Sequence, residues 1–192
     1  MAIDYSIIDA NDAKEARKNN HRAALRPLRR LWEKGSLSAM SLSLASSTSF
    51  GAIVVAADHA GFALKGPLIE WLRAERREVI DLGTHSPDSV DYPDYAAALA
   101  QVIREGKADF GVLICGSGIG VSIAANRFPG VRAAVCHDVT TARLARQHNN
   151  ANVLALGVRL LGDEVARDCL FTFLKTPFDG GERHLRRLAK MG

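Results

Sequence analysis

Phe110-Gly-Val-Leu-Ile-Cys-Gly-Ser-Gly-Ile-Gly-Val-Ser-Ile-Ala-Ala-Asn126 is the stretch on which the fold turns. Phe110–Cys115 is an apolar run with the length of a buried strand, and Ile119–Asn126 reads as a short helix. Between them stand Gly116, Ser117 and Gly118, with Gly120 just inside the helix. Glycines at a strand-to-helix turn let the backbone approach a ligand closely.

The same alternation extends in both directions. Upstream, Ala52–Ala57 is a strand and Phe62–Arg76 a helix with Leu64, Leu68 and Leu72 at helical spacing; Glu78–Leu82 is a strand and Tyr95–Arg104 an alanine-rich helix. Downstream come strand Arg132–Cys136, helix Thr140–Gln147, strand Val153–Leu156, helix Asp163–Leu174 and a last helix through His184–Lys190. Five apolar strands alternating with helices predict an α/β fold: three αβα layers around a doubly wound, five-stranded parallel sheet of Rossmann-like type. Such sheets bind ligands at the carboxyl ends of their strands. The residues there are Asp58-His59, Gly83-Thr84-His85, Cys115–Gly120, His137-Asp138 and Gly157-Val-Arg159.

Composition narrows the function. The 192 residues are 47% hydrophobic and 24% charged, ordinary for a water-soluble globular chain. No apolar run reaches the roughly 18–20 residues of a membrane span. Eight lysines and arginines against five acids place +3 within residues 1–40, leaving +1 for residues 41–192. A nearly neutral main domain argues against a nucleic-acid footprint. Cys115, Cys136 and Cys169 lack CxxC spacing, which fits a reducing cytoplasm better than a disulfide framework or a zinc cage. Residues 1–50 differ from the rest. They are expected to be an N-terminal extension with a basic helical stretch over 13–34 and a serine-rich linker, disordered or else a start-site artefact with translation from Met40. Residues 51–192 form the main domain.

The Cys115–Gly120 loop admits three readings: a nucleotide loop, a plain tight turn, or a cradle for a developing oxyanion. The third glycine falls one residue early for G-x-G-x-x-G, and there is no P-loop lysine. A thiol beside a helix N-terminus favours its thiolate, which can take a proton from carbon. Backbone amides of Gly116, Ser117, Gly118, Ile119 and Gly120 are placed to hold an enediolate oxygen. Asp58 is a helix cap or a site residue. His148, with Asn149-Asn150 after it, is a helix C-cap or a proton carrier. Arg183 and Arg187, four apart on one helix face, suit a phosphate dianion or a solvated tail.

Together these segments resemble the ribose-5-phosphate isomerase type B and galactose-6-phosphate isomerase family. They are Ala57-Asp-His-Ala-Gly-Phe-Ala-Leu-Lys65, Val90-Asp-Tyr-Pro-Asp-Tyr95, Ile114-Cys-Gly-Ser-Gly-Ile-Gly120, Ser122-Ile-Ala-Ala-Asn-Arg127, Arg146-Gln-His-Asn149 and Arg183-His-Leu-Arg-Arg187, in family order. The resemblance covers residues 51–192 and implies a phosphosugar isomerase domain. It implies Cys115 as the base moving a proton between C1 and C2, Ser117 as its support, and Gly116–Gly120 as the anion cradle. It implies His148 with Asp58 for ring opening, Asn149 on a substrate hydroxyl, and His59, Arg159, Arg183 and Arg187 on phosphate. Tyr92 is carried over as a substrate contact. It implies no metal or organic cofactor, and a homodimer or homotetramer with sites at subunit interfaces. Ribose 5-phosphate is the expected substrate, with galactose or allose 6-phosphate, a tetrose phosphate, and a non-catalytic phosphosugar sensor as alternatives.

Overall fold

The computed structural model describes residues 51–191. The expected extension and linker over residues 1–50 lie outside the described residues, as does Gly192. The elements are β1 Ile53–Ala57, α1 Phe62–Ala74, β2 Val79–Asp81, α2 Tyr92–Arg104, β3 Phe110–Cys115, α3 Ile119–Ala125, β4 Ala133–Val135, α4 Val139–Asn149, β5 Val153–Gly157, α5 Asp163–Lys175 and α6 Glu182–Leu188.

Several boundaries differ from expectation, for local reasons. Helix α2 begins at Tyr92 rather than Tyr95, because Pro93 falls in the first turn, where a missing N–H costs nothing. Helix α4 begins at Val139: the Asp138 carboxylate accepts from the amides of Thr140 and Thr141 while the Thr141 hydroxyl accepts from the Asp138 amide. It runs on to Asn149 and is stopped by Asn150 in the left-handed conformation, φ 44°. The final helix starts two residues early, at Glu182.

All five strands are parallel, in the order β2-β1-β3-β5-β4. The chain builds outward from β1 to β2, then crosses back to place β3 on the other side of β1. The carboxyl ends of β1 and β3 therefore flank the point where the winding reverses, the usual ligand crevice of such sheets.

Both faces of the sheet are buried. Ile53, Val55, Val112, Ile114, Leu154 and Leu156 pack with α1, α4 and α5, around Phe173 and Leu170. Val54, Ala56, Leu113, Val153 and Ala155 face the opposite way, onto α2 and α3. Period-two alternation on a sheet covered on both sides gives near-continuous apolar strands. Cys136 and Cys169 belong to the first core, and burial pushes their thiols up to about 12 and about 11. Among the described residues no helix is long and apolar enough to cross a membrane.

Candidate active site

Cys115 ends β3 and is buried, and its Sγ accepts the amide of Gly118 at 3.1 Å. That bond can form because Gly118, at φ 78°, turns back on the strand end before α3 begins. The neighbouring strand ends close on this loop through glycine. Gly157 pairs in register with Cys115, and a Cβ there would collide with the Ser117 backbone. Gly61 lies against the Ile114 carbonyl, where a Cβ would fall 2.6 Å from the oxygen. Gly120 gives up its side-chain space to the Tyr92 phenol, whose Cζ lies 2.7 Å from the ideal Cβ position.

Three further residues, through side chain or backbone, frame the loop. Asp58, buried, follows β1; its amide donates to the Ile114 carbonyl at 3.1 Å and its Oδ1 accepts from Gly61 N at 3.0 Å. The carboxylate thus caps the turn into α1 and stands over the β1–β3 crevice. His59 Nδ1 lies 3.2 Å from both the amide and the carbonyl of Val90. Arg159 donates its amide to the Gly116 carbonyl at 3.0 Å, and its guanidinium runs alongside Gly116. Two loop amides are already engaged, Gly118 on Cys115 Sγ and Ile119 on Ser117 Oγ at 3.3 Å.

The remaining candidates lie elsewhere. Helix α4 follows β4 and runs back antiparallel to the strands, so His148 and Asn149 at its carboxyl end stand where the strands begin. Strand β5 separates the two ends by a rise of about 13 Å. His148 stacks on His184, with ring centroids 4.7 Å apart and 8° between planes. His184 Nε2 accepts from Arg183 Nε at 3.1 Å and lies 3.4 Å from Asp179 Oδ2. Burial first, then the guanidinium of Arg183 and the ring of His148, hold the His184 imidazole below its ordinary value, with Asp179 opposing and Arg187 adding to the depression. Beside Asn149 opens a cavity of about 600 Å³, lined also by Phe128, Arg132, Ala134 and Met191.

The structure thus gathers Asp58, His59, Tyr92, Gly116–Gly120 and Arg159 around Cys115. It gathers His148, Asn149, Arg183 and Arg187 at the other end of the sheet. The rule that site residues follow strand ends holds only for the first group, because returning helices deliver their carboxyl termini to the opposite edge. Arg146 and Asn150 have structural places. Arg146 is buried over Phe110, 4.8 Å from its ring centroid, and Nη1 donates to Ala151 O at 2.6 Å and Asn150 Oδ1 at 2.9 Å. Asn150 is the helix stop that receives this bond. His184 passed in the sequence as a spacer between arginines; nothing in its spacing signals the stack on His148.

Fold and site together define a doubly wound α/β protein with a thiol-bearing glycine loop at its topological switch point. The sequence profile of the ribose/galactose isomerase family matches residues 53–191. The chain belongs to this family. It is 46% identical over 136 residues to ribose-5-phosphate isomerase B of Escherichia coli strain K12, covering 71% of this chain and 91% of the relative. A ribose 5-phosphate isomerase structure from Thermotoga maritima is 54% identical, with a TM-score of 0.72, covering 73% of this chain and 97% of its own. The type B ribose 5-phosphate isomerase of Trypanosoma brucei is 48% identical at the same TM-score, covering 73% and 96%.

Proposed function

We propose that this isomerase interconverts ribose 5-phosphate and ribulose 5-phosphate, with Cys115 as the carbon base, in a reducing cytoplasm. The observation that carries the reading is the Cys115 sulfur held by the Gly118 amide at the β1–β3 crevice, beside the buried Asp58. His148 protonates the ring oxygen of the furanose while Asp58 takes the proton of the anomeric hydroxyl, leaving the open aldehyde. The Cys115 thiolate removes the C2 proton, and the C–H electrons form the cis-enediolate. The negative charge that develops on O1 is held by amides of the Gly116–Gly120 loop. The hydroxyl proton passes from O2 to O1, and the Cys115 thiol returns its proton to C1. Ser117 supports the base, Asn149 and Tyr92 hold the sugar, and His59, Arg159, Arg183 and Arg187 hold the phosphate. The chemistry resides in the domain of residues 51–192, which follows the extension of residues 1–50.

The distance between the two residue groups supports a site shared between two copies. Asp58 and His148 cannot meet within one chain, whereas a two-fold axis brings one copy's strand carboxyl ends to the other's strand beginnings. The apolar surface agrees: Ile119 is 52% exposed and Ile123 62%, one turn apart on α3 beside the glycine loop. A homodimer, alone or paired into a tetramer, covers this face.

The deciding experiment compares kcat/KM over four-, five- and six-carbon aldose phosphates. Ribose 5-phosphate should be preferred; a higher value for a hexose or tetrose phosphate would overturn the substrate. Absence of solvent deuterium at C1 or C2 of recovered sugar would overturn the proton-transfer chemistry.

A further inference from the structure

Lys65 is the side chain that the reaction leaves unused. Lys and Glu, Arg and Asp are rarely fully buried without a partner, and Lys65 on α1 is only 5% exposed. Its ammonium lies 2.6 Å from both carboxylate oxygens of Asp81, the last residue of β2. A buried lysine–carboxylate pair is costly to desolvate and is weak evidence for stability by itself. Its position in the chain supplies another use.

Asp81 does more than neutralise Lys65. Its Oδ1 also accepts the Gly83 amide at 2.9 Å and so fixes the first turn of the loop between β2 and α2. Burial alone would raise this carboxyl, but the Lys65 hydrogen bond and the Gly83 amide outweigh it and hold it below the ordinary value. The loop then grips the segment Ala57–His59 at three points. Ala57 N donates to Gly83 O at 2.7 Å, and Thr84 N donates to Ala57 O at 2.8 Å. At the far end of the loop, Val90 meets His59 Nδ1. Ala57 immediately precedes Asp58 and His59. The backbone that aims both residues, and one ring nitrogen of His59, are therefore held by one loop rooted in the Lys65–Asp81 pair.

We infer that the Lys65–Asp81 pair positions His59 for the substrate phosphate, acting through the Gly83–Val90 loop. With Nδ1 occupied by Val90, the ring is fixed with Nε2 as its remaining nitrogen, and phosphate affinity depends on where that nitrogen points. Lys65 and Asp81 are positioning residues; neither touches the sugar. The inference rests on the reading of His59 as a phosphate ligand.

The test uses the full chain with ribose 5-phosphate as substrate and inorganic phosphate as competitive inhibitor. Lys65→Met is the first variant. Asp81→Asn is the second, because its amide oxygen still accepts from Gly83 and it should survive if Lys65→Met does not fold. In either variant, KM and the phosphate inhibition constant should rise together by about tenfold, the size of one weakened hydrogen bond to a charged group. The change in kcat should stay below about twofold, because Asp58 is also held by Gly61 and Ile114 and the binding lost is common to ground and transition states. In a His59→Gln background the same substitutions should leave KM and the inhibition constant where that variant has put them. A purely structural pair would lower the melting temperature without this pattern. Unchanged KM and inhibition constant in a folded variant would overturn the inference, as would an equal further rise in the His59→Gln background. If His59→Gln alone left phosphate inhibition unchanged, the assignment of His59 would fall first, separately from the coupling.

Discussion

The rings of His148 and His184 lie 4.7 Å apart and 8° from parallel at the edge of the sheet where the strands begin. Cys115 stands at the edge where they end, in register with Gly157. With His148 proposed for ring opening beside His184 and two arginines, a strand length from Cys115 as the proposed carbon base, each end of one molecule would carry half of a site. On the proposed reading, the complete site is a property of two molecules meeting end to end.

Mixing variants tests this. Cys115→Ala and His148→Asn should each be close to inactive on ribose 5-phosphate as pure proteins. Unfolded and refolded together, they should recover up to about a quarter of wild-type activity: half the dimers are mixed, and one of the two sites in each carries both native residues. No recovery in a mixture shown by native mass spectrometry to contain the heterodimer would exclude the shared site.

Cys115→Ala by itself should lower kcat by at least about a thousandfold, within the range of general acid–base contributions. Phosphosugar binding, followed by calorimetry, should weaken only slightly. Turnover comparable to wild type would remove Cys115 from the mechanism.

His148→Asn should separate ring opening from proton transfer at carbon. Ribulose 5-phosphate carries its ester on the 5-hydroxyl and has no furanose to open. Its turnover should survive in this variant, while that of ribose 5-phosphate falls by about a hundredfold or more. Equal losses in both directions of assay would give His148 a different role.

Gly157→Ala introduces a methyl into the Ser117 backbone. Overpacking of this kind typically costs about 1–3 kcal/mol, and here the yielding element is the proposed catalytic loop itself. Thermal melts should show the loss, and activity should drop more than stability explains. A variant with wild-type kcat would show that the loop tolerates displacement.

The Lys65–Asp81 pair also sets an acid limit. The folded carboxyl lies below its ordinary value of 3.8, so its contribution to stability is complete above that value and is lost as pH falls through the folded value. Wild type should therefore exceed Lys65→Met in urea midpoint by a constant margin from pH 7 to pH 5. The margin should shrink below about pH 4. A margin independent of pH would mean that packing of the lysine stem, rather than its charge, holds the element.

Much of this molecule is already written in residue order. Apolar runs such as Val54–Ala57 and Val112–Ile114 can be strands only if both faces are covered, and intervening helices then force the pairing to be parallel. The glycines at 116, 118 and 120 mark a backbone brought close to something, and Cys115 beside them marks the proposed base. Local signals of this kind act over a few residues and survive in one dimension. The helix limits were less legible: Pro93 was compatible with either a loop or a first turn, and α4 runs past His148 to a stop set by the left-handed Asn150.

Tertiary structure alone decided the rest. That β3 lies beside β1, placing Asp58 against Ile114, follows from strand order, which periodicity does not encode. That His148 stands opposite Cys115 follows from α4 running against the strands, although the two read as one constellation in the sequence. The burial of Lys65 against Asp81, and of Arg146 over Phe110, depends on contacts between segments 16 and 36 residues apart. Sequence determined which groups the protein carries; the fold determined which of them share an end of the sheet, because only the packed helices fix where each chain segment turns back.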